Sequence, residues 1–348
     1  MTADLEHIIQ SDSISWNHMK DSTVFITGIT GLIGSLLCRT FLAANDARNL
    51  HMQIFGLVRS REKAENIFGE LLKREDFSIG AGDITDAVSV DGEVDYIFHC
   101  ASVTASKTMI SKPVETLMTA VGGTRNMLEL ARKKEAKAFV YVSSMEVYGT
   151  FTDLDHDVTE EDLGYIDPLA VRSNYPESKR LCENMCIAYF TEYGVPVRMA
   201  RLAQTFGAGI LPGENRVFAQ FARSVIKGED IVLHTRGLSE GNYCYTSDTI
   251  RGLLTIALAG KDGEAYNVCN PDTHTTIADM AQMVCSDIAG DVIKVIFDIP
   301  ETNTFGYAAD TKMKLDSGKL QALGWKPEVS LRESYERLIG SIRETENI

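Results

Sequence analysis

At 348 residues and 44% hydrophobic, the chain can bury one large core or two unequal ones. Its 34 basic and 49 acidic residues leave a formal charge of −15, which excludes a general affinity for nucleic acid but not a phosphorylated small ligand held by a few local cations. No apolar run approaches the roughly 18 residues of a membrane span, and Met1-Thr-Ala-Asp-Leu-Glu-His7 lacks the basic-then-apolar pattern of a secretory signal, so a cytoplasmic protein is expected.

Residues 1–22 read as a helical extension, a short amphipathic helix packed on the domain after it. Strands are expected at Thr23–Thr27, Gln53–Val58, within Phe77–Asp83, and at Tyr96–Cys100, Ala138–Ser143 and Val197–Leu202. Helices are expected at Leu32–Ala44, Pro113–Lys133 and Pro176–Tyr193. Strand and helix alternate, the pattern of a mostly parallel sheet with helices on both faces, an α/β doubly wound fold of the Rossmann type. Beyond Gly207 the pattern changes to helices at Val217–Lys227, Ile277–Ala289 and Leu331–Arg343 with short strands between them. The expected division is an extension at 1–22, a nucleotide-binding domain at 23–205 to which 242–270 returns, and a smaller, discontinuous α/β substrate lobe at 206–241 and 271–348. A ligand is expected between the lobes, at the carboxyl ends of the strands.

The seven cysteines, Cys38, Cys100, Cys182, Cys186, Cys244, Cys269 and Cys285, have no framework spacing and fit reduced thiols. Cys182 and Cys186 lie four apart on a helix among apolar residues with no neighbouring His, so they read as core packing and no metal site is expected.

Two motifs carry chemistry. Thr27-Gly-Ile-Thr-Gly-Leu-Ile-Gly34 follows a strand and opens a helix. Glycines there permit a tight turn, a close approach of backbone to pyrophosphate and close helix–sheet packing, with Gly28, Thr30, Gly31, Leu32, Ile33 and Gly34 around the phosphates. Tyr175-Pro-Glu-Ser-Lys179 places a phenol and an ammonium four apart, on one helix face. A neighbouring Lys charge favours phenolate, so Tyr175 is expected to be more acidic than a free tyrosine. Ser143-Ser-Met-Glu-Val-Tyr-Gly149 ends the fifth strand, where a hydroxyl facing Tyr175 can hydrogen-bond a substrate alcohol.

With these elements the chain resembles the extended short-chain dehydrogenases/reductases, in the NAD-dependent epimerase/dehydratase branch that acts on nucleotide sugars. The resemblance covers residues 22–340 and rests also on Gly82-Asp-Ile84, His99-Cys-Ala-Ser102 and Arg201-Leu-Ala-Gln-Thr-Phe-Gly207. It implies Ser144, Tyr175 and Lys179 as a catalytic trio, with Tyr175 taking the proton of a sugar hydroxyl while hydride leaves C4. Lys179 would hold the nicotinamide ribose and Ser144 would bridge to the substrate oxygen. It implies Asp83 and Ile84 at the adenine, Ala101 and Ser102 along the pyrophosphate–ribose path, and Thr104, Ser144, Gln204 and Arg216 toward the substrate. Glu146 stands where the branch's dehydratases and decarboxylases place a Glu that handles a proton at C5; the alternative is a solvated strand-end carboxylate. The family commonly dimerises through the helices after residues 113 and 176, and a homodimer is expected. Met118, Met127, Met185 and Cys186 read equally as seam or as intramolecular core.

Departures from the pattern sharpen the reading. Met145 stands where dTDP-glucose dehydratases carry an acid that protonates the leaving hydroxyl, and a thioether has no such proton to give. Ala120 and Gln204 each replace an Asn. Gly241 replaces the Arg that grips the substrate pyrophosphate, leaving Arg216, Arg223 and Arg236 as cations that can substitute. The second strand ends Leu57-Val-Arg-Ser60, with Arg59 where an NAD enzyme places a carboxylate, so NADP is kept beside the NAD that the branch uses. Three functions fit: a nucleotide-sugar epimerase, dehydratase or decarboxylase passing through a 4-keto sugar; an NADPH-dependent reductase of a keto-sugar or other carbonyl; and a non-catalytic dinucleotide sensor. The intact trio opposes the last.

Overall fold

The computed structural model describes residues 1–152, 154–211, 213–300 and 311–346. Six strands read from the sequence form within a residue or two of their expected bounds: β1 (Thr23–Thr27), β2 (Gln53–Val58), β3 (Phe77–Ala81), β4 (Tyr96–His99), β5 (Ala138–Ser144) and β6 (Val197–Leu202). A seventh, Glu264–Val268, closes one edge by pairing with β6. The sheet is parallel throughout, in the order Glu264–Val268, β6, β5, β4, β1, β2, β3.

Side chains alternate across this sheet and fill two cores. Val24 and Ile26 of β1, with Ala138 and Val140 of β5, face one; Phe25, Phe139 and Tyr141 face the other. The first core is covered by α2 (Leu32–Arg48) and by α8 (Thr246–Ala259), with α1 (Thr2–Gln10) laid over both through Ile8 and Ile9. After α3 (Arg61–Phe68) and the short α4 (Ser106–Ser111), α5 (Pro113–Lys134) and α6 (Asn174–Tyr193) lie on the opposite face and bury Met127, Leu128, Cys182 and Cys186. Cys182, Cys186 and Met127 are wholly enclosed within this monomer, so of the four candidate seam residues only Met118, 60% exposed, stands on the surface; Met185 is half-buried against the core. All seven cysteines are free thiols.

Helices α2 and α6 differ from expectation at one end for local reasons. The helix after the glycine turn runs on to Arg48 because Asn45 is buried, not solvated: its amide donates to Met52 O and to Asp76, tying α2 to the strands beside it. Helix α6 begins at Asn174, so Tyr175 lies in its first turn. Pro176 costs nothing there, since first-turn N–H groups have no intrahelical acceptor, and Gly194 (φ +71°) ends the helix.

Phe206, Phe218, Tyr243, Met280 and Tyr335 form a further core, that of a second lobe, around α7 (Val217–Lys227) and the helix Leu331–Glu346. Three two-stranded ribbons frame it: Gln204–Phe206 with Tyr243–Tyr245, Ile231–Leu233 with Val295–Phe297, and Glu240–Gly241 with Thr275–Thr276. Among the described residues no helix is long and apolar enough to cross a membrane.

Candidate active site

Strand order reverses between β1 and β4, and the crevice outside their carboxyl ends is where an open α/β sheet holds ligands. The glycine turn sits there. Gly28 has φ +65°, and a Cβ on it would lie 2.8 Å from the backbone of Ala101, in the loop after β4. A Cβ on Gly34 would lie 2.4 Å from Gly28 O and 2.7 Å from Ile29 Cα. The turn, the first turn of α2 and the 101 loop therefore meet backbone to backbone. Gly31 is the N-cap and brings no side chain to the helix N-terminus, so Leu32 and Ile33 present open N–H groups flanked by Thr30. This cradle fits a dinucleotide pyrophosphate, which needs N–H donors, a helix dipole and room for its oxygens.

Thr27 locks the crevice. Its hydroxyl accepts from Ala101 N (3.2 Å), leaving its own proton for His99 Nδ1 (2.7 Å), while His99 Nε2 donates to Thr124 (3.2 Å). Burial, then the Lys179 charge, pushes His99 down to about 3, so the ring is neutral and the chain of donors runs one way. Beyond the carboxyl end of β3, Asp83 accepts from both the backbone and the hydroxyl of Thr85 (2.9 and 2.7 Å), bonds that hold its carboxyl below the usual range. Ile84 is buried against Gly123 of α5, where a Cβ would strike it. Arg59 is exposed just beyond β2, close enough for Asp83 to feel its charge. Ser102 is half-buried in the loop after β4, and Thr104 is exposed two residues on.

Tyr175, Lys179 and Glu183 occupy successive turns of one face of α6. Lys179 is 3% exposed, donates to Val142 O of β5 (2.7 Å) and lies over the rings of Tyr141 and Tyr175, at 4.8 and 5.7 Å from their centroids. Burial pushes it down to about 8. Glu183 accepts from Ser143 Oγ (2.6 Å) and forms a fork with Arg201 of β6 (2.8 Å at closest), pinning the helix to both strand ends. The Ser144 hydroxyl hydrogen-bonds the Tyr175 phenol and accepts from Glu146 N (3.2 Å).

The expectation of a more acidic Tyr175 is overturned. Burial, then the Glu146 charge, pushes the phenol up to about 12, against smaller downward pulls from Ser144, Arg172 and Arg216. Lys179 is not among the groups that act most strongly on the phenol; its ammonium is bonded to Val142 O and lies over the rings of Tyr141 and Tyr175.

Glu146 stands in the turn Met145–Tyr148, faces Tyr175 and is bonded to Arg172 (Nη2 to Oε1, 3.0 Å). The Arg172 guanidinium lies 5.6 Å from the Tyr175 ring centroid. Sequence reasoning missed Arg172; the signal was a cation three residues before Tyr175, readable only once residues 171–173 were known to form a turn feeding α6. Arg216, ahead of α7 in the second lobe, is felt by Tyr175 across the cleft but is bound to Glu214 (2.7 Å). Gln204 is exposed where the chain leaves β6. Arg223 turns away, to Glu214 O and Glu346, and Arg236 is exposed on the lobe. Gly241 is buried, yet a Cβ there would meet nothing within 4 Å.

Comparison with known proteins agrees with this geometry. Residues 24–269 match the family model described as the NAD dependent epimerase/dehydratase family. A UDP-glucuronic acid decarboxylase of Arabidopsis thaliana is 30% identical over 311 residues, 89% of this chain and 85% of the relative. Among solved structures, a UDP-glucose 4-epimerase of Thermotoga maritima superposes with a TM-score of 0.76 at 21% identity over 93% of this chain and 99% of that one. A UDP-glucuronic acid 4-epimerase of Bacillus cereus, in complex with UDP-glucuronic acid and NAD, gives 0.75 at 20% over 93% and 99%. At such identities the structures establish the fold, and the sequence matches establish the kinship. The chain belongs to the NAD dependent epimerase/dehydratase family and is an NAD-dependent nucleotide-sugar enzyme of the extended short-chain dehydrogenase/reductase type.

Proposed function

We propose that the protein converts a UDP-hexuronate of the UDP-glucuronic acid class through its 4-keto form, with loss of the acid group as CO2. The observation that carries this reading is the Glu146–Arg172 pair set against Tyr175 (3.0 Å), which puts a proton-handling carboxylate and a cation where C5 and its substituent would lie. Sequence kinship to UDP-glucuronic acid decarboxylases supports it, and Met145, lacking a proton to give a leaving hydroxyl, disfavours 4,6-dehydration.

The glycine turn with the α2 N-terminus, Asp83 and Lys179 are the groups that would hold NAD, and NAD when bound would supply the hydride acceptor for C4. Tyr175 takes the O4 proton, and Ser144 steadies the oxygen as it becomes a carbonyl. A ketone at C4 makes the C6 acid a β-keto acid. Its C5–C6 bond breaks with the electron pair delocalised onto O4, releasing CO2. Glu146, paired with Arg172 and 38% exposed, is placed to take up a proton from solvent and pass it to C5, and Tyr175 returns the O4 proton as the alcohol is restored. The balance is one proton consumed and one CO2 formed per UDP-pentose, with no net change in cofactor.

Mass spectrometry of the product from UDP-glucuronic acid tests this. Loss of the mass of CO2 without net absorbance change at the NADH band is expected. An unchanged mass with a new sugar configuration would make the protein an epimerase. Arg59 beyond β2 supports a second reading, reduction of a keto-sugar by NADPH, and net consumption of reduced cofactor would select it. We also infer a homodimer, because Val114, Leu117 and Met118 of α5 and Leu181, Phe190 and Tyr193 of α6 are exposed along adjacent helices; sedimentation of a monomer at micromolar concentration would refute it.

A further inference from the structure

Four arginines stand on or beside the elements of this cleft, Arg180 on α6, Arg201 on β6, Arg216 before α7 and Arg172 before α6, and three of them are spent. Arg180 donates to the backbone carbonyls of Val147, Tyr148 and Gly164. Arg201 is forked onto Glu183 and reaches the Tyr148 hydroxyl and Glu160 O. Arg216 is bound to Glu214 and lies over Phe218. Arg172 differs. Among the described residues Glu146 is its one hydrogen-bond partner, through a single nitrogen, and a guanidinium carries five N–H donors.

Its position is set by backbone. Residues 171–173 form one turn of 3-10 helix, closed by Ser173 N to Ala170 O (2.9 Å), and α6 follows directly. The side chain then returns over Tyr175. Arg172 and Glu146 remain 35% and 38% exposed, so both reach from the cleft wall into the space a sugar must enter. In a hexuronate the carboxylate is borne by C5, the neighbour of the C4 whose hydroxyl Tyr175 addresses. A cation beside the Tyr175 ring is therefore beside that carboxylate, and a planar fork with unspent donors is the group that binds a carboxylate through two bonds.

We propose that Arg172 is the specificity-determining residue for the sugar's acid group: it binds the C6 carboxylate of the substrate, and Glu146 holds the guanidinium in place from the other side. This rests on the UDP-hexuronate reading above and names the contact that would select the acid over the neutral sugar.

Calorimetric titration of the NAD-loaded protein with UDP-glucuronic acid and with UDP-glucose tests it. Wild type should prefer the acid. Arg172→Gln should weaken the acid by roughly ten- to a hundredfold, as for a hydrogen bond to a charged group, while UDP-glucose, which lacks the carboxylate, changes less than about twofold. Arg172→Lys should restore part of the loss for the acid alone. Equal weakening of both sugars, no weakening of either, or a wild type indifferent to the acid would each overturn the proposal. Thermal melting and retained NAD in each variant establish that the fold is intact. The two readings separate cleanly: CO2 release persisting undiminished in Arg172→Gln would discard the role of Arg172 and keep the reaction, whereas a wild type that binds neither sugar more tightly than UDP would end both.

Discussion

On the proposed cofactor side of the cleft, backbone meets backbone; on the proposed sugar side, side chain meets side chain. Gly28 and Gly34 hold their turn against Ala101 and Ile29 with no volume to spare, and Thr27, His99 and Thr124 lock the surrounding loops. Across the cleft, Glu146, Arg172 and Arg216 come from three separate segments and are held by ion pairs that remain partly exposed. The first arrangement tolerates almost no substitution, because its geometry is the chain itself. The second can be re-aimed by changing one side chain, which is how a common fold accommodates different sugars. Tyr175 and Lys179 sit at the junction of the two.

The largest expected effect falls at that junction. Tyr175→Phe removes the proposed proton acceptor and should lower turnover about a thousandfold, while the fold and NAD retention stay near wild type. Rapid-quench turnover beside a measurement of bound NAD checks it, and activity within tenfold of wild type would remove Tyr175 from the chemistry.

Next in size is Lys179. Below pH 8 both folded and unfolded chains carry its ammonium, and the folded state bears the cost of burying it. Between about 8, its folded value, and 10.5, its ordinary one, the folded lysine is neutral while the unfolded one still binds a proton, so stability rises with pH across that window. Lys179→Met has no such titration. Its stability relative to wild type should therefore fall by roughly 3 kcal/mol from below pH 8 to above pH 10.5, read by urea unfolding at each pH. A constant difference would mean that the ammonium is better solvated than its 3% exposure implies.

What could be read in the sequence divides along the same line. Thr23–Thr27, Gln53–Val58 and Val197–Leu202 are strands as expected, because apolar runs of that length between turn signals have few alternatives. The glycine turn and the Tyr175–Lys179 spacing are local, and helix geometry carries them directly into space. Arg172 was not legible, since its importance depends on a partner 26 residues away and on a turn that sends its side chain back over Tyr175. Nor was the direction of the Tyr175 shift. A lysine four residues on can be counted in a sequence, but the burial that outweighs it is a property of the assembled sheet, α6 and the Met145–Tyr148 turn. Asn45 shows the same limit, reading as the end of a helix until its buried partners are known.

The smallest effects give the most direct comparison of the two sides, because the same substitution can be made on each. At Gly28 an added methyl meets Ala101 backbone at 2.8 Å and must also adopt a left-handed conformation, so Gly28→Ala should cost about 2 kcal/mol and loosen NAD. Gly241 is buried where Gly28 is only half-buried, but its φ is not left-handed and the space before it is open to 4 Å. Gly241→Ala should therefore stay within about 0.5 kcal/mol of wild type and leave NAD binding alone. Urea midpoints and bound NAD measured on the two variants in parallel decide the matter. Equal costs would show that the sugar side is as tightly built as the cofactor side. A neutral Gly241→Ala would leave that position as room in which a larger side chain can be placed to retune the substrate.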